Sequence, residues 1–343
     1  MRATSALTAA LLSLCVAVLR GDSQSGAASR AGETVLSTTR RTHLDARSTL
    51  GDLLRHPAFD GFAPLILPWD DRAYDERMPL SRVSSLLPYH THVDVDTVTR
   101  ALNRMIDDVA SGRTVFYRFY TEMQRRQHPA KNDTGLFFFR GRPGAPFAVI
   151  APGGGFSYVA SVHEGFPYAA AISRQGYNAF VLKYRVGSDG SWATEDLAAA
   201  VSYIFANAAT LEVGTFSYSL WGSSAGARTA ASIGSHGAAR FGGADVPRPS
   251  TVVMAYTGHA DYSPDEPPTF VVVGEDDGIA PPRTMERRVR VLRDAGTRVE
   301  FRTYQHLGHG FGLGIGTSAE GWIVDAIRFW EASMGGLTAM PRD

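Results

Sequence analysis

The pentapeptide Gly222-Ser223-Ser224-Ala225-Gly226 is the segment of this sequence best suited to nucleophilic chemistry. Glycines two residues to either side of Ser224 allow a sharp reversal of the chain that presents the central hydroxyl. Ser223 is adjacent but off that centre, and the competing reading is a helix start built from small residues. A serine hydroxyl is a weak nucleophile near neutral pH, so the reading requires a histidine to take its proton and a carboxylate to orient that histidine. The chain order nucleophile, acid, base that accompanies such a serine leaves His236, His259, His306 and His309. His309, between Gly308 and Gly310, sits in a turn mobile enough to swing an imidazole over strand ends. His306 is closer to the preceding strand and reads as a packing residue. For the acid, Glu275-Asp276-Asp277 follow an apolar run. Like charges so close cannot all be buried and ionised cheaply, so one faces the histidine and the others stay in water. Asp277, placed before the apolar-Pro start of the next helix, comes first, with Asp276 and Glu275 as alternatives.

Pro152-Gly153-Gly154-Gly155-Phe156 supplies the remaining requirement. A glycine run exposes backbone N–H groups, the donors that a tetrahedral oxyanion needs. The amides of Gly154 and Gly155, joined by that of Ala225, are the candidates. A plain loop is the alternative; a phosphate-binding loop is not, because its Lys and Ser/Thr are missing.

The elements that must position these groups follow from periodicity. From Gly135 onward, short apolar runs at 136–140, 147–151, 178–185, 218–222, 250–256, 269–274 and 298–305 alternate with helical stretches at 164–175, 194–209, 224–237, 282–295 and 319–333. This is the pattern of an α/β fold, a mostly parallel sheet covered by helices, with ligands at the carboxyl ends of the strands. The first two runs are joined by GRPGAP, which predicts an antiparallel edge. We read 132–336 as the catalytic domain and 50–131 as an irregular N-terminal extension packing on it. The extension holds one clear helix, VDTVTRALNRMIDDVASG, capped by Asp94 or Asp96 and ended by Gly112. Its FDGFAPLILPW stretch (59–69) could fold over the site as a cap. His90 and His92 alternate with Asp94 and Asp96, but helix capping explains the aspartates and a solvated or interfacial turn the histidines, in preference to a metal site.

Composition narrows the function. Lys plus Arg and Asp plus Glu both number 34, which leaves no net field to hold nucleic acid. The apolar run Ala6–Leu19 has 14 residues, below the about 18 of a membrane span. Behind Arg2 and ahead of small polar residues, it reads as a signal peptide (1–28) followed by a linker (29–49), and predicts a secreted protein. Cys15, the single cysteine, lies within that run, so the exported chain would carry no intrachain disulfide.

Phe147 to Met334 resembles the bacterial acetyl xylan esterase and feruloyl esterase-like branch of the α/β-hydrolases. PGGGFSYV, EGFPYA, GYNAFVLKYRVG, the helix start Asp196-Leu197-Ala198-Ala199-Ala200, GSSAG, PTFVVVGEDDGIAPP and GHGFGLG stand in the family's order over about 190 residues. The chain departs from the commoner pattern where Ala227 and Arg228 follow GSSAG, and at GEDDG. The resemblance implies a Ser224, Asp277, His309 triad, an oxyanion hole from Gly154, Gly155 and Ala225, and an internal ion pair joining Tyr184-Arg185 to Asp196. Glu164 either opens a helix, the preferred reading, or bonds the glycine loop. The expected activity is hydrolysis of short acyl esters, with acetyl groups on polysaccharide as the candidate substrate and neither metal nor cofactor. Phe156, Tyr158 and Phe311 are the expected substrate-binding walls. A lipase or peptidase of the same fold, or a ligand-binding relative without turnover, is the alternative.

Overall fold

A computed structural model describes residues 43–334, so the expected signal peptide (1–28) and residues 29–42 of the expected linker lie outside the described part. The strands are β1 (Phe116–Tyr117), β2 (Gly135–Phe139), β3 (Pro146–Ala151), β4 (Asn178–Lys183), β5 (Gly214–Ser223), β6 (Thr251–Ala255), β7 (Thr269–Gly274) and β8 (Val299–Tyr304). They form one sheet in the order β1-β2-β4-β3-β5-β6-β7-β8. β4, β3, β5, β6, β7 and β8 are mutually parallel, whereas β2 runs antiparallel to β4 and β1 antiparallel to β2. The edge is therefore antiparallel as expected, but β2 pairs with β4 instead of with β3. GRPGAP is a crossing between non-adjacent strands, not a hairpin.

The central strands read as unbroken apolar runs because both faces of the sheet are covered. Alternation persists inside those runs. Phe137, Phe139, Ile150, Val181 and Trp221 enter one core, while Leu136, Phe138, Val149, Phe180 and Leu220 enter the other. The helices are α1 (Leu50–Leu54), α2 (Val95–Ala110), α3 (Glu122–Gln127), α4 (Phe166–Arg174), α5 (Ser191–Ala206), α6 (Ala208–Leu211), α7 (Ala225–His236), α8 (Pro282–Asp294) and α9 (Trp322–Ser333). α5 and α7 cover the second face. α4 and α9 cover the first, together with α2, whose N-cap is Asp94 and whose Val98, Leu102, Met105 and Ile106 are buried. α3, which the sequence reading missed, opens with a capping box between Thr121 and Gln124.

The buried apolar residues from Leu44 to Val115 join the first core, while Phe119 and Tyr120 enter the second. Phe59, Ile66 and Leu67 are fully buried, the amide of Val159 donates to the carbonyl of Pro68 at 3.0 Å, and Lys183 Nζ meets Asp70 Oδ1 at 2.7 Å. The 59–69 stretch thus spends its apolar side chains in the core, where burial of each large one is worth about 1.5–3 kcal/mol, and it is no cap. Residues 43–49, assigned to the linker on composition, are also tied in, through Leu44 N to Asn103 Oδ1 at 2.7 Å.

Candidate active site

β5 ends at Ser223 and α7 begins at Ala225, which leaves Ser224 alone at the corner with φ 48° and ψ −115°. That conformation is costly for a residue bearing a Cβ, and its neighbours enforce it. The amide of Ser224 donates to the carbonyl of Ala255 at 2.8 Å. A Cβ on Gly226 would stand 1.9 Å from the carbonyl oxygen of Ala151, and one on Gly222 would stand 2.3 Å from that of Gly226. Both glycines are therefore steric requirements of the corner.

β7 and β8 deliver the two partners. His309 Nε2 lies 2.9 Å from Ser224 Oγ, and His309 Nδ1 lies 2.7 Å from Asp277 Oδ2. The other Asp277 oxygen accepts from the amides of Ile279 at 2.9 Å and Ala280 at 2.7 Å. A carboxylate held by these amides can only accept, so Nδ1 carries the proton and Nε2 offers its lone pair to the serine hydroxyl. Burial selects among the three carboxylates: Asp277 is buried, while Glu275 and Asp276 are exposed. His306 is exposed at φ 55° in a turn, so it is not the packing residue expected.

The glycine loop is held open at Ser224. Tyr184 donates its hydroxyl to the Pro152 carbonyl at 2.7 Å, and Gly153 N donates to Glu164 Oε2 at 2.5 Å. Among the described residues, the amides of Gly154, Gly155 and Ala225 have no acceptor. Gly154 adopts φ 133° with the Tyr158 carbonyl 2.1 Å from where a Cβ would be, so only glycine fits.

The expected substrate walls divide. Phe156 is half-buried, with the Arg228 guanidinium 5.5 Å from its ring centre. Tyr158 and Phe311 are fully buried and cannot meet a substrate. Tyr158 spends its hydroxyl on Tyr89 N at 3.2 Å and His90 Nδ1 at 2.9 Å, and Phe311 packs on Tyr256 with ring centroids 4.6 Å apart. Tyr89, 43% exposed, is the aromatic ring beside Gly155.

Three findings correct the sequence reading further. Glu164 bonds the glycine loop instead of merely opening a helix. The His90 ring is buried against Glu164, with Nε2 2.9 Å from Oε1, so it belongs to no solvated turn. The His309 loop is tied down: Thr91 N and His163 Nε2 each bond the Gly310 carbonyl at 3.0 Å, and Trp322 Nε1 donates to the Gly312 carbonyl at 2.9 Å. Burial, with His90 nearby, lowers His163 to about 4, so its imidazole is neutral. Glu164 experiences burial that raises its carboxyl, but His90, His163 and Tyr256 more than reverse this and hold it at about 2. A signal for this cluster was present in SVHEGF, where a histidine and a glutamate stand side by side inside a mostly apolar stretch. Arg185 and Asp196 form the expected pair at 2.8 Å, with Tyr120 adding a 2.6 Å bond to the same carboxylate.

A family model described as BD-FAE matches residues 140–247, the stretch that holds the glycine loop, Glu164 and Ser224. The esterase-branch resemblance read from the sequence holds. Solved structures share the fold. An α/β hydrolase enzyme from a Medee basin deep-sea metagenome library is 24% identical, with 59% of this chain and 93% of that chain covered at a TM-score of 0.50. The carboxylesterase Cest-2923 from Lactobacillus plantarum is 20% identical, covering 61% and 94% at 0.52. An acetyl ester-xyloside bifunctional hydrolase from Caldicellulosiruptor lactoaceticus is 21% identical, covering 60% and 89% at 0.50. No curated protein matches the chain.

Proposed function

We propose that this chain of α/β-hydrolase fold is a serine esterase that removes short acyl groups, acetyl foremost, from a polysaccharide through an acyl-enzyme. The observation that carries the reading is the unbroken line from Asp277 through His309 to Ser224, at 2.7 and 2.9 Å. Ser224 Oγ attacks the ester carbonyl while its proton passes to His309 Nε2, and Asp277 steadies the imidazolium. The tetrahedral oxygen takes its charge toward the Gly154, Gly155 and Ala225 amides. Collapse breaks the bond to the alcohol, which leaves with the proton from Nε2. Water then repeats the sequence on the acyl-serine, releasing the acid and restoring the hydroxyl.

The short-acyl reading rests on the covering of the site. Only residues 256–268 link β6 to β7, too few for a large lid, and the 59–69 stretch is committed to the core. Each further methylene gains about 0.8 kcal/mol only where it is buried. The likeness to the bifunctional acetyl ester-xyloside hydrolase favours a sugar-borne ester. Export is part of the reading and rests on the Ala6–Leu19 run. Among the described residues, no helix is long and apolar enough to cross a membrane.

The test is kcat/KM on p-nitrophenyl esters from acetyl to dodecanoyl, beside acetate release from acetylated xylan. We expect the maximum between acetyl and butyryl. A rise from butyryl to dodecanoyl would establish the lipase alternative, and an absence of turnover on every ester would remove the esterase reading.

A further inference from the structure

The Glu164 side chain is fully buried, and three donors face it: the Gly153 amide at 2.5 Å on Oε2, and the Tyr256 hydroxyl at 2.7 Å and His90 Nε2 at 2.9 Å on Oε1. The His90 contact is a close polar approach whose geometry does not make a hydrogen bond, whereas the other two are hydrogen bonds. Behind the last two stand further donors. The Tyr168 hydroxyl is 3.0 Å from that of Tyr256, and Ser223 Oγ is 3.4 Å from that of Tyr168. Because Tyr256 gives its proton to the carboxylate, it accepts from Tyr168, which in turn accepts from Ser223. On the other side, the Tyr89 amide donates to the Tyr158 hydroxyl, which donates to His90 Nδ1 and leaves the Nε2 proton facing Glu164. Two chains of donors are thus polarised toward one charge, an arrangement in which each bond strengthens the next.

Both ends of this network reach the Ser224 site. A Cβ on Gly153 would lie 2.8 Å from Glu164 Oε2 and 3.1 Å from Ser224 Cβ, so the carboxylate anchors the loop one residue from the oxyanion amides. On the opposite side, the Tyr256 hydroxyl accepts from Gly312 N at 3.2 Å, and its ring lies 5.2 Å from that of His309. Burying a carboxylate is expensive, and an apolar residue would fill the space more cheaply, so what the charge brings is position.

We propose that Glu164 is a positioning residue that sets the Gly154 and Gly155 amides against Ser224, and that the N-terminal segment takes part in the site by supplying His90 to that carboxylate. The proposal rests on the serine-esterase reading. Glutamine at position 164 keeps the shape but turns an N–H toward one of the three donors.

E164Q tests it in the full-length protein through kcat, KM and affinity for an arylboronic acid, whose serine adduct carries the tetrahedral oxyanion. We expect kcat and boronate affinity to fall together by about 100-fold, with KM within about threefold of wild type. H90A should lower both by about tenfold, and H90Q, which restores a donor, should recover most of the loss. Wild-type kcat and boronate affinity in E164Q, or a change confined to KM, overturns the proposal and leaves the esterase reading standing. Should E164Q fail to fold, H90A and Y256F decide. A tenfold joint loss in each supports the role of the carboxylate, and wild-type values in both remove it. A wild-type protein that neither hydrolyses esters nor labels at Ser224 with a fluorophosphonate removes both readings together.

Discussion

Thr91 donates its hydroxyl to the backbone carbonyl of His309 at 2.9 Å, a bond spanning 218 positions of chain. The amide of the same threonine bonds the Gly310 carbonyl at 3.0 Å. The His309 loop is thereby clamped by a segment that precedes the sheet. One such bond is worth about 1 kcal/mol net, so Thr91→Val should cut kcat by about fivefold with little change in KM. Steady-state kinetics checks this, and an unchanged kcat would show that the remaining ties hold the loop alone.

The neighbouring serines and carboxylates should separate cleanly. Ser224→Ala and Asp277→Asn each should lower kcat by about 10⁴-fold. Ser223→Ala, Asp276→Asn and Glu275→Gln should stay within about tenfold, because Ser223 faces Tyr168 and the two carboxylates lie in solvent. Comparable losses in the two sets would break the assignment.

Gly153→Ala should abolish turnover more thoroughly than it destabilises the fold. Its methyl group would lie 2.8 Å from Glu164 Oε2, 2.9 Å from the Ser223 carbonyl and 3.1 Å from Ser224 Cβ. All three neighbours belong to the site, so the glycine loop must shift. We expect kcat to drop by at least about 100-fold while the folded fraction is retained by circular dichroism. A variant with native kcat would show that the loop tolerates the displacement.

Stability should fall on the acid side. Burial holds His163 at about 4, and burial with nearby Arg288 does the same for His259, against about 6.5 in an unfolded chain. Between those values the unfolded state binds the protons, so unfolding takes up about two, and stability is full above pH 6.5 and declines toward pH 4. Glu164, lowered from 4.5 to about 2, adds a further loss below pH 4.5. Melting midpoints from pH 7.5 to 4.5 should decline steadily; a flat or rising series would contradict the buried neutral imidazoles.

What the sequence by itself determined is local. Strand runs fully covered on both faces are continuous and apolar, so β3, β4, β6 and β7 were legible within one or two residues, β5 was legible at its carboxyl end but starts four residues earlier than expected, and α2 was marked by its cap and period. The corner at Ser224 was legible because steric demands on Gly222 and Gly226 fall within the same five residues. Which partner β2 takes, which of three carboxylates is buried, and which way Tyr158 and Phe311 point were decided only by the tertiary structure. Sequence records the bulk of an aromatic ring but not its direction, and so two core residues read as substrate walls. Glu164 gathers Gly153, His90 and Tyr256 from 11, 74 and 92 positions away. No local pattern encodes that meeting: a buried charge is satisfied by whatever donors the packed chain brings to it, and only the assembled fold brings these three together.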